Sequence, residues 1–376
     1  MKIALLMEME RLDPARGGAE RYSWDYSAAL ARAGNEVHVF ARPGGSVAPG
    51  VTLREVRSGG LGRAGRMKAF AGHVERMLAH EQFDAVHGIG WTWSQDVFQP
   101  HGGVFLANCE ARGKTSFWSR LSPRRRACRL IETRQYGDRS ARIYVAISDK
   151  VRRDMRRFYD VPPERIRTVY NGVDTERFSP RNRDTFRDKT REAWGIGGDE
   201  VVFLIVAHNF ALKGVPELAE CVTAKGFPSC RVLVVGRGDK RRIAQQAESR
   251  APGRVIFAGA VADAAPFYAA ADAYVHPTHY DPCSLTVLEA LAAGLPAVTT
   301  TANGAGELLV GGRAGTVVPP GDLAALDAAL RPLFDAHRRA DMGAAARALA
   351  EEHTLAHNVT EMSDVYREII ALKGGA

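Results

Sequence analysis

Twice along this chain a short apolar run opens a series of alternating strand-like and helix-like segments. "KIALLM" (2–7), "EVHVFAR" (36–42), "VTLREV" (51–56), "DAVHGI" (84–89), "RIYVAIS" (142–148) and "IRTVYNG" (166–172) read as strands with longer helical or irregular stretches between them. After the polar stretch "SPRNRDTFRDKTREAWGIGGDE" (179–200) the rhythm restarts with "VVFLIVA" (201–207), "RVLVVG" (231–236), "VIFAG" (255–259), "AYVHP" (273–277), "PAVTT" (296–300) and "GTVVP" (315–319). Strands that are nearly continuous apolar runs, each followed by a crossover, belong to parallel sheets covered by helices on both faces. The expected fold class is therefore α/β with two doubly wound, Rossmann-like domains. The boundaries expected are 1–178 for the first domain and 179–355 for the second, with a final helical segment at 356–376 packing back toward the first.

Length supports two domains, since 376 residues exceed one ordinary core on a scale of about 150 residues per domain. The composition, 45% hydrophobic and 25% charged, is that of a globular protein and not of a disordered or fibrous one. The five cysteines are odd in number and lack metal-ligand or C-x-x-C spacing, which points to a reduced, cytoplasmic setting. The apolar start of "MKIALLMEMERLD" is too short for a signal peptide, and no run is long enough to span a bilayer, so any membrane role is expected to be peripheral.

The stretch "HYDPCSLTVLEALAAGLP" (279–296) carries the chemistry. Ser284 is a suitable N-cap, Leu285, Leu288 and Leu291 form a helical apolar face, and Gly294 with Pro296 ends the helix. Strand candidates flank it, so its start lies at the carboxyl end of a strand, the ligand-binding edge of open α/β sheets. The N–H groups of Leu285 and Thr286 would point out with the positive end of the helix dipole, ready for a phosphate. Asp281 and Glu289 are then placed to accept hydrogen bonds from hydroxyls on either side, such as those of a sugar and a ribose. On spacing alone, the simpler reading is a turn aspartate and a solvated helix glutamate.

The same stretch resembles the E-x7-E signature of the retaining glycosyltransferases of family 4, with Asp281 in place of the first glutamate. "VYNGVDTERFSP" (169–180), "HNFALKGVPEL" (208–218), "VLVVGRGD" (232–239) and "GGAERY" (17–22) resemble further motifs of that family, in the family's order. The resemblance implies the GT-B architecture, two facing Rossmann-like domains with a nucleotide sugar held mainly by the second. Carried to this chain, it implies Glu289 on the ribose, the Leu285 and Thr286 N–H groups and Lys213 on the diphosphate, with Ser284 at the same helix start. It implies Asp281 on the hexose hydroxyls and the backbone at Ala260 and Val261 on the base. Gly17 and Gly18 would admit the donor phosphate, and His101 in "QPHGG" would sit beside the reacting sugar. His208 stands where relatives commonly have arginine, and Arg237 is a candidate for the second cation.

No D-x-D triplet occurs in the chain, so charge on the leaving diphosphate falls to Lys213 and the helix start, with neither metal nor cofactor expected. The segment 111–159 is rich in arginine, with Arg124, Arg125 and Arg126 consecutive and Arg152, Arg153, Arg156 and Arg157 at helical spacing. Phe117, Trp118, Leu121 and Leu130 are interleaved. Without a recognised nucleic-acid module, and because many relatives glycosylate lipid acceptors, this segment is expected to face anionic lipid. The expected activity is metal-independent, retaining transfer of a hexose from a nucleotide sugar, most simply a UDP-sugar, to a lipopolysaccharide core or other lipid-linked acceptor, in the cytoplasm at the inner face of the membrane. A nucleotide-sugar 2-epimerase of the same fold and a non-catalytic nucleotide-sugar-binding protein are the alternatives.

Overall fold

A computed structural model describes residues 1–9, 12–14, 18–113, 122–137 and 141–374. Gly17, Phe117, Trp118 and Leu121 lie outside the described residues. The chain forms two compact units, Met1–Asn171 together with Leu355–Ala376, and Gly172–Thr354. The division falls at Asn171/Gly172 instead of after residue 178, because the turn at Asp174–Phe178 and Pro180 already belong to the second unit. Arg347 of that unit donates to the carbonyls of Thr175 and Phe178.

The first unit is built on a parallel sheet of seven strands, β1 (Lys2–Leu6), β2 (Glu36–Ala41), β3 (Val51–Glu55), β4 (Ala85–Gly88), β5 (Val97–Phe98), β6 (Ile143–Ala146) and β7 (Ile166–Thr168), in the order β3-β2-β1-β4-β5-β6-β7. The sequence pattern misses β5, since two apolar residues carry no period, yet both pair with β4 and β6 and are buried. The helix Leu355–Gly374 completes this unit. Its Tyr366 is fully buried, and the hydroxyl lies 2.8 Å from that of Tyr26 and 2.7 Å from His87 Nδ1. A buried phenol needs such partners to offset its desolvation. Burial also takes His87 down to about 3, so its ring is neutral in the folded chain.

The second unit has six parallel strands, β8 (Val202–His208), β9 (Arg231–Arg237), β10 (Val255–Gly259), β11 (Ala273–His276), β12 (Ala297–Thr300) and β13 (Gly315–Val318), in the order β10-β9-β8-β11-β12-β13. Both sheets therefore reverse direction once, between β1 and β4 and between β8 and β11, as in a dinucleotide-binding fold. Phe203, Ile205, Val232, Val234, Val275 and Val298 form one face of the second core. On the other face the helix Leu285–Ala292 buries Val287, Leu288 and Leu291 completely. At about 1.5–3 kcal/mol for each large apolar side chain, that burial fixes the rotation of this helix and with it the direction of its first turn. All five cysteines are unpaired thiols.

One buried acid makes the first unit sensitive to pH. Glu132, on the helix Pro123–Gly137, is 3% exposed and accepts from the Phe105 N–H at 2.5 Å and the Tyr159 hydroxyl at 2.6 Å. Burial raises its carboxyl from 4.5 to about 7, with the Tyr159 and backbone hydrogen bonds opposing the shift. A raised folded value means that the folded state holds the proton longer, so stability is fully present below about 4.5 and is lost as pH rises through about 7. We expect Glu132→Gln to remove this component, on the order of 2 kcal/mol. Urea unfolding at pH 5 and pH 8 checks it, the variant gaining on the wild type at the higher pH.

Candidate functional site

The site of the second unit grows out of the reversal between β8 and β11. These strands are neighbours, but the chain leaves them toward opposite edges of the sheet, opening a crevice beyond their carboxyl ends. After β8 the chain turns through Asn209, at φ 65°, and the loop closes with hydrogen bonds from Leu212 and Lys213 N–H to the Asn209 carbonyl. Gly214 sits at φ 77°, and a Cβ there would lie 2.1 Å from the Pro277 carbonyl just after β11. Only glycine allows the two strand ends this close. The loop thereby carries Lys213 across to β11, where its Nζ lies 2.6 Å from Asp281 Oδ2 and 3.4 Å from the Tyr280 carbonyl.

Asp281 is 8% exposed, and its backbone is pinned on both sides: its N–H donates to the Ala302 carbonyl and its carbonyl accepts from Gly304 N–H. Burial alone would raise its carboxyl; the Lys213 ammonium and then His276 outweigh that and hold it well below the usual carboxylate range. His276, the last residue of β11, places Nε2 3.2 Å from the same Oδ2. Its own value is lowered by burial, with the Asp281 hydrogen bond opposing, so the neutral ring presents its Nε2–H to the carboxylate. From His276 Nδ1 a buried polar chain runs to the Tyr274 hydroxyl at 3.2 Å, on to Thr286 Oγ1 at 2.6 Å and to Ser284 Oγ at 2.9 Å. The carboxylate and the helix start are thus joined through side chains that the sequence pattern had marked only as a strand.

Ser284 occupies the N-cap position but makes no capping hydrogen bond, contrary to expectation. Its Oγ pairs with Thr286, and its N–H donates to Asn303 Oδ1 at 3.2 Å. The first-turn N–H groups of Leu285 and Thr286 are left without a side-chain cap, as an anion-binding helix start requires. One turn on, Glu289 Oε2 accepts from the Tyr268 hydroxyl at 2.7 Å. Tyr268 is buried, with its hydroxyl 3.2 Å from the Thr286 carbonyl, so Glu289 is an oriented acceptor and not a freely solvated helix residue.

Lys213, Asp281, Ser284, Leu285, Thr286 and Glu289 are therefore gathered along one sheet edge, with His276, Tyr274, Tyr268 and Asn303 as supports that sequence reasoning missed. His276 and Tyr274 could have been suspected from their place at the carboxyl end of a central strand. His208 and Arg237 are paired across the ends of β8 and β9 and are exposed; they flank the Lys213 loop. Ala260 and Val261 follow β10 at the same edge. In the first unit, Gly18 opens the helix Gly18–Arg32 with no atom within 4 Å of a Cβ built on it. His101 stacks on Tyr22 with ring centroids 4.7 Å apart.

Two parallel sheets of this order, one carrying a lysine–aspartate pair beside an uncapped helix start, are the parts of a GT-B glycosyltransferase, and the likeness to known proteins places the chain in that class. Residues 16–177 match the family model described as Glycosyltransferase Family 4, and residues 201–336 the one described as Glycosyl transferases group 1. A D-inositol 3-phosphate glycosyltransferase of Catenulispora acidiphila is 30% identical over 94% of this chain and 90% of its own. Among solved structures, WaaG, a glycosyltransferase involved in lipopolysaccharide biosynthesis, superposes with a TM-score of 0.81 at 22% identity over 97% of this chain and 99% of that one. Anabaena HepE, solved in complex with UDP-glucose, gives 0.75 at 18% identity over 98% and 100%. The chain belongs to the family 4 glycosyltransferases.

The Lys213–Asp281 pair should be visible in stability as well as activity. Lys213→Met leaves an ionised, buried carboxylate without its cation, for which we expect a loss of about 2 kcal/mol, with Asp281→Asn in the same chain recovering more than half of it. Because the Asp281 value is depressed in the folded state, the stability it confers is present above its ordinary 3.8 and is lost as pH falls through its folded value. A double-mutant cycle by urea unfolding at pH 7 measures the coupling.

Proposed function

We propose that this glycosyltransferase is a retaining, metal-independent hexosyltransferase that takes a UDP-sugar as donor and a lipopolysaccharide core or other lipid-linked glycan as acceptor. The observation that carries the donor side of this reading is the Lys213–Asp281 pair at 2.6 Å beside the uncapped start of Leu285–Ala292. A cation and a hydrogen-bond acceptor held side by side suit a donor that carries a diphosphate next to a polyhydroxylated ring. On binding, Lys213 turns to the diphosphate and Asp281 accepts from hexose hydroxyls, while Glu289, oriented by Tyr268, accepts from the ribose. The Leu285 and Thr286 N–H groups face the diphosphate, with His208 and Arg237 as further cations. The backbone at Ala260 and Val261 faces the base. Gly17, Gly18 and His101 keep the roles that the family resemblance implies.

As the hexosyl C1–O bond breaks, its electron pair moves to the diphosphate oxygen, and Lys213 with the helix start stabilises that charge without a metal. An acceptor hydroxyl attacks from the same face, and its proton passes to the departing diphosphate. UDP as the carrier is supported by the likeness to HepE, and a lipid-linked acceptor by the likeness to WaaG. The similarity to a D-inositol 3-phosphate glycosyltransferase favours a second reading of the acceptor, as a soluble phosphorylated cyclitol. Lipid anchoring rests on the exposed Arg124, Arg126, Arg152, Arg153, Arg156 and Arg157 on the helices Pro123–Gly137 and Asp149–Tyr159, at about 1 kcal/mol per basic residue near an anionic surface. Among the described residues, no helix is long and apolar enough to cross a membrane.

Lys213→Ala should lower the rate of UDP release in the presence of acceptor by about 10²–10³-fold, while Glu289→Ala should chiefly raise the KM for the donor. Excess EDTA should leave both unchanged, and an EDTA loss restored by Mg²⁺ or Mn²⁺ would refute metal independence. Competition between inositol phosphate and a lipid-linked glycan as acceptors separates the two readings of the second substrate. Co-sedimentation with anionic but not neutral vesicles, weakened by salt and by Arg124/Arg125/Arg126→Ala, is expected if the basic helices hold the enzyme on lipid.

A further inference from the structure

The amino-terminal edge of the second sheet, opposite the donor edge, holds a cavity of about 610 Å³ lined by Arg183, Arg187, Arg339 and Arg347. Asp272 is the one carboxylate among its lining residues, and it is already saturated. Its oxygens accept from Arg187 at 2.8 Å, from Arg191 at 2.8 Å and from the Val202 N–H at 2.8 Å. The volume lies within the range of small-ligand sites.

The arginines divide by what they already do. Arg187 spends its guanidinium on Asp272 and on the carbonyls that end the helix Ala265–Ala270. Arg347 donates to the Thr175, Phe178 and Ala292 carbonyls and pairs with Glu351. Both are explained by packing. Arg183 makes a single long contact to Asp272 at 3.4 Å, and Arg339 one bond, to the Leu333 carbonyl at 2.7 Å. Each guanidinium offers five N–H donors in a fork that fits phosphate oxygens. Burial, and next the like charge of Arg187, lower the Arg183 value against the opposing pull of Asp272, with Arg191 and Arg339 adding to the lowering. Like charges gathered around one spent carboxylate repel one another, and an anion among them would offset that repulsion.

We propose that this cavity is a second ligand site, in which Arg183 and Arg339 bind a multiply charged phosphate anion. It is separate from the donor edge: Ala293 and Gly294, which line it, follow the last turn of the helix Leu285–Ala292, whose first turn lies at the donor edge about 12 Å away at 1.5 Å per residue. The ligand carries at least two negative charges on phosphate oxygens, either as a soluble phosphate ester or pyrophosphate or as a lipid headgroup.

Calorimetric titration of the full chain with inorganic pyrophosphate tests this. Binding should persist in Lys213→Ala, which weakens the donor edge, and, with that substitution retained, fall at least tenfold on adding Arg183→Gln/Arg339→Gln. Ala340 lines the cavity at an exposed helix position, so Ala340→Glu should fold normally and repel the anion by the same margin; it decides the matter if the double variant melts early. Competition of pyrophosphate with vesicles containing phosphatidylinositol 4-phosphate, whose headgroup carries a phosphomonoester, would identify the ligand as a headgroup, and lack of competition a soluble phosphate. No binding to the wild type, binding lost only in Lys213→Ala, or equal binding to Ala340→Glu would each overturn the proposal.

Discussion

Everything at the donor edge depends on the divergence of β8 and β11. Two adjacent parallel strands whose chains depart in opposite directions leave an opening between the two crossovers. Lys213 reaches it from the β8 side and Asp281 from the β11 side, and the two form an ion pair across it. The close approach of Gly214 to the Pro277 carbonyl sets the distance. A side chain at that glycine would push the loop outward and separate the charges, whatever their identity.

Around this pair the second unit is graded in polarity. The apolar faces of the sheet and of Leu285–Ala292 are fully buried, while the strand ends carry hydrogen-bonded polar groups: His276, Tyr274, Thr286, Ser284 and Asn303. Each has a partner, so the chain of contacts is stiff, and stiffness at a site that must face a developing charge lowers the reorganisation needed in the reaction. The missing cap at Ser284 is the exception that fits this arrangement. A capped helix start would be more stable by about 1 kcal/mol, and it would have one N–H group fewer to offer an anion.

Charge is managed differently at the other end of the same sheet. Arg191 is almost wholly buried and takes five contacts to carbonyls and to Asp272, which ties the helix Asn182–Ala193 to the strand edge. Arg183, at the same helical spacing as Arg187 and Arg191, has little to hold. Net positive charge in the composition is thus unevenly useful: part of it replaces backbone hydrogen bonds, part forms exposed helix faces, and part remains around a cavity.

The sequence alone determined the class of fold, because apolar runs of strand length separated by crossovers admit few arrangements; a helix start and a turn placed Asp281 and Glu289 at a strand's carboxyl edge, and the resemblance to family 4 added Lys213. Neither showed β5, whose two residues are too few for a pattern, nor the unit boundary at Asn171, which depends on where Arg347 from a distant helix docks. Only the tertiary structure decided that Lys213 and Asp281 form one ion pair, that Tyr268 orients Glu289, that Tyr274 links His276 to Thr286, and that Glu132 is buried deeply enough to hold its proton near neutrality. The physical reason is common to all of these. Periodicity and turn chemistry are properties of neighbouring residues, whereas the ionisation and orientation of a side chain are set by atoms that the fold brings from far along the chain.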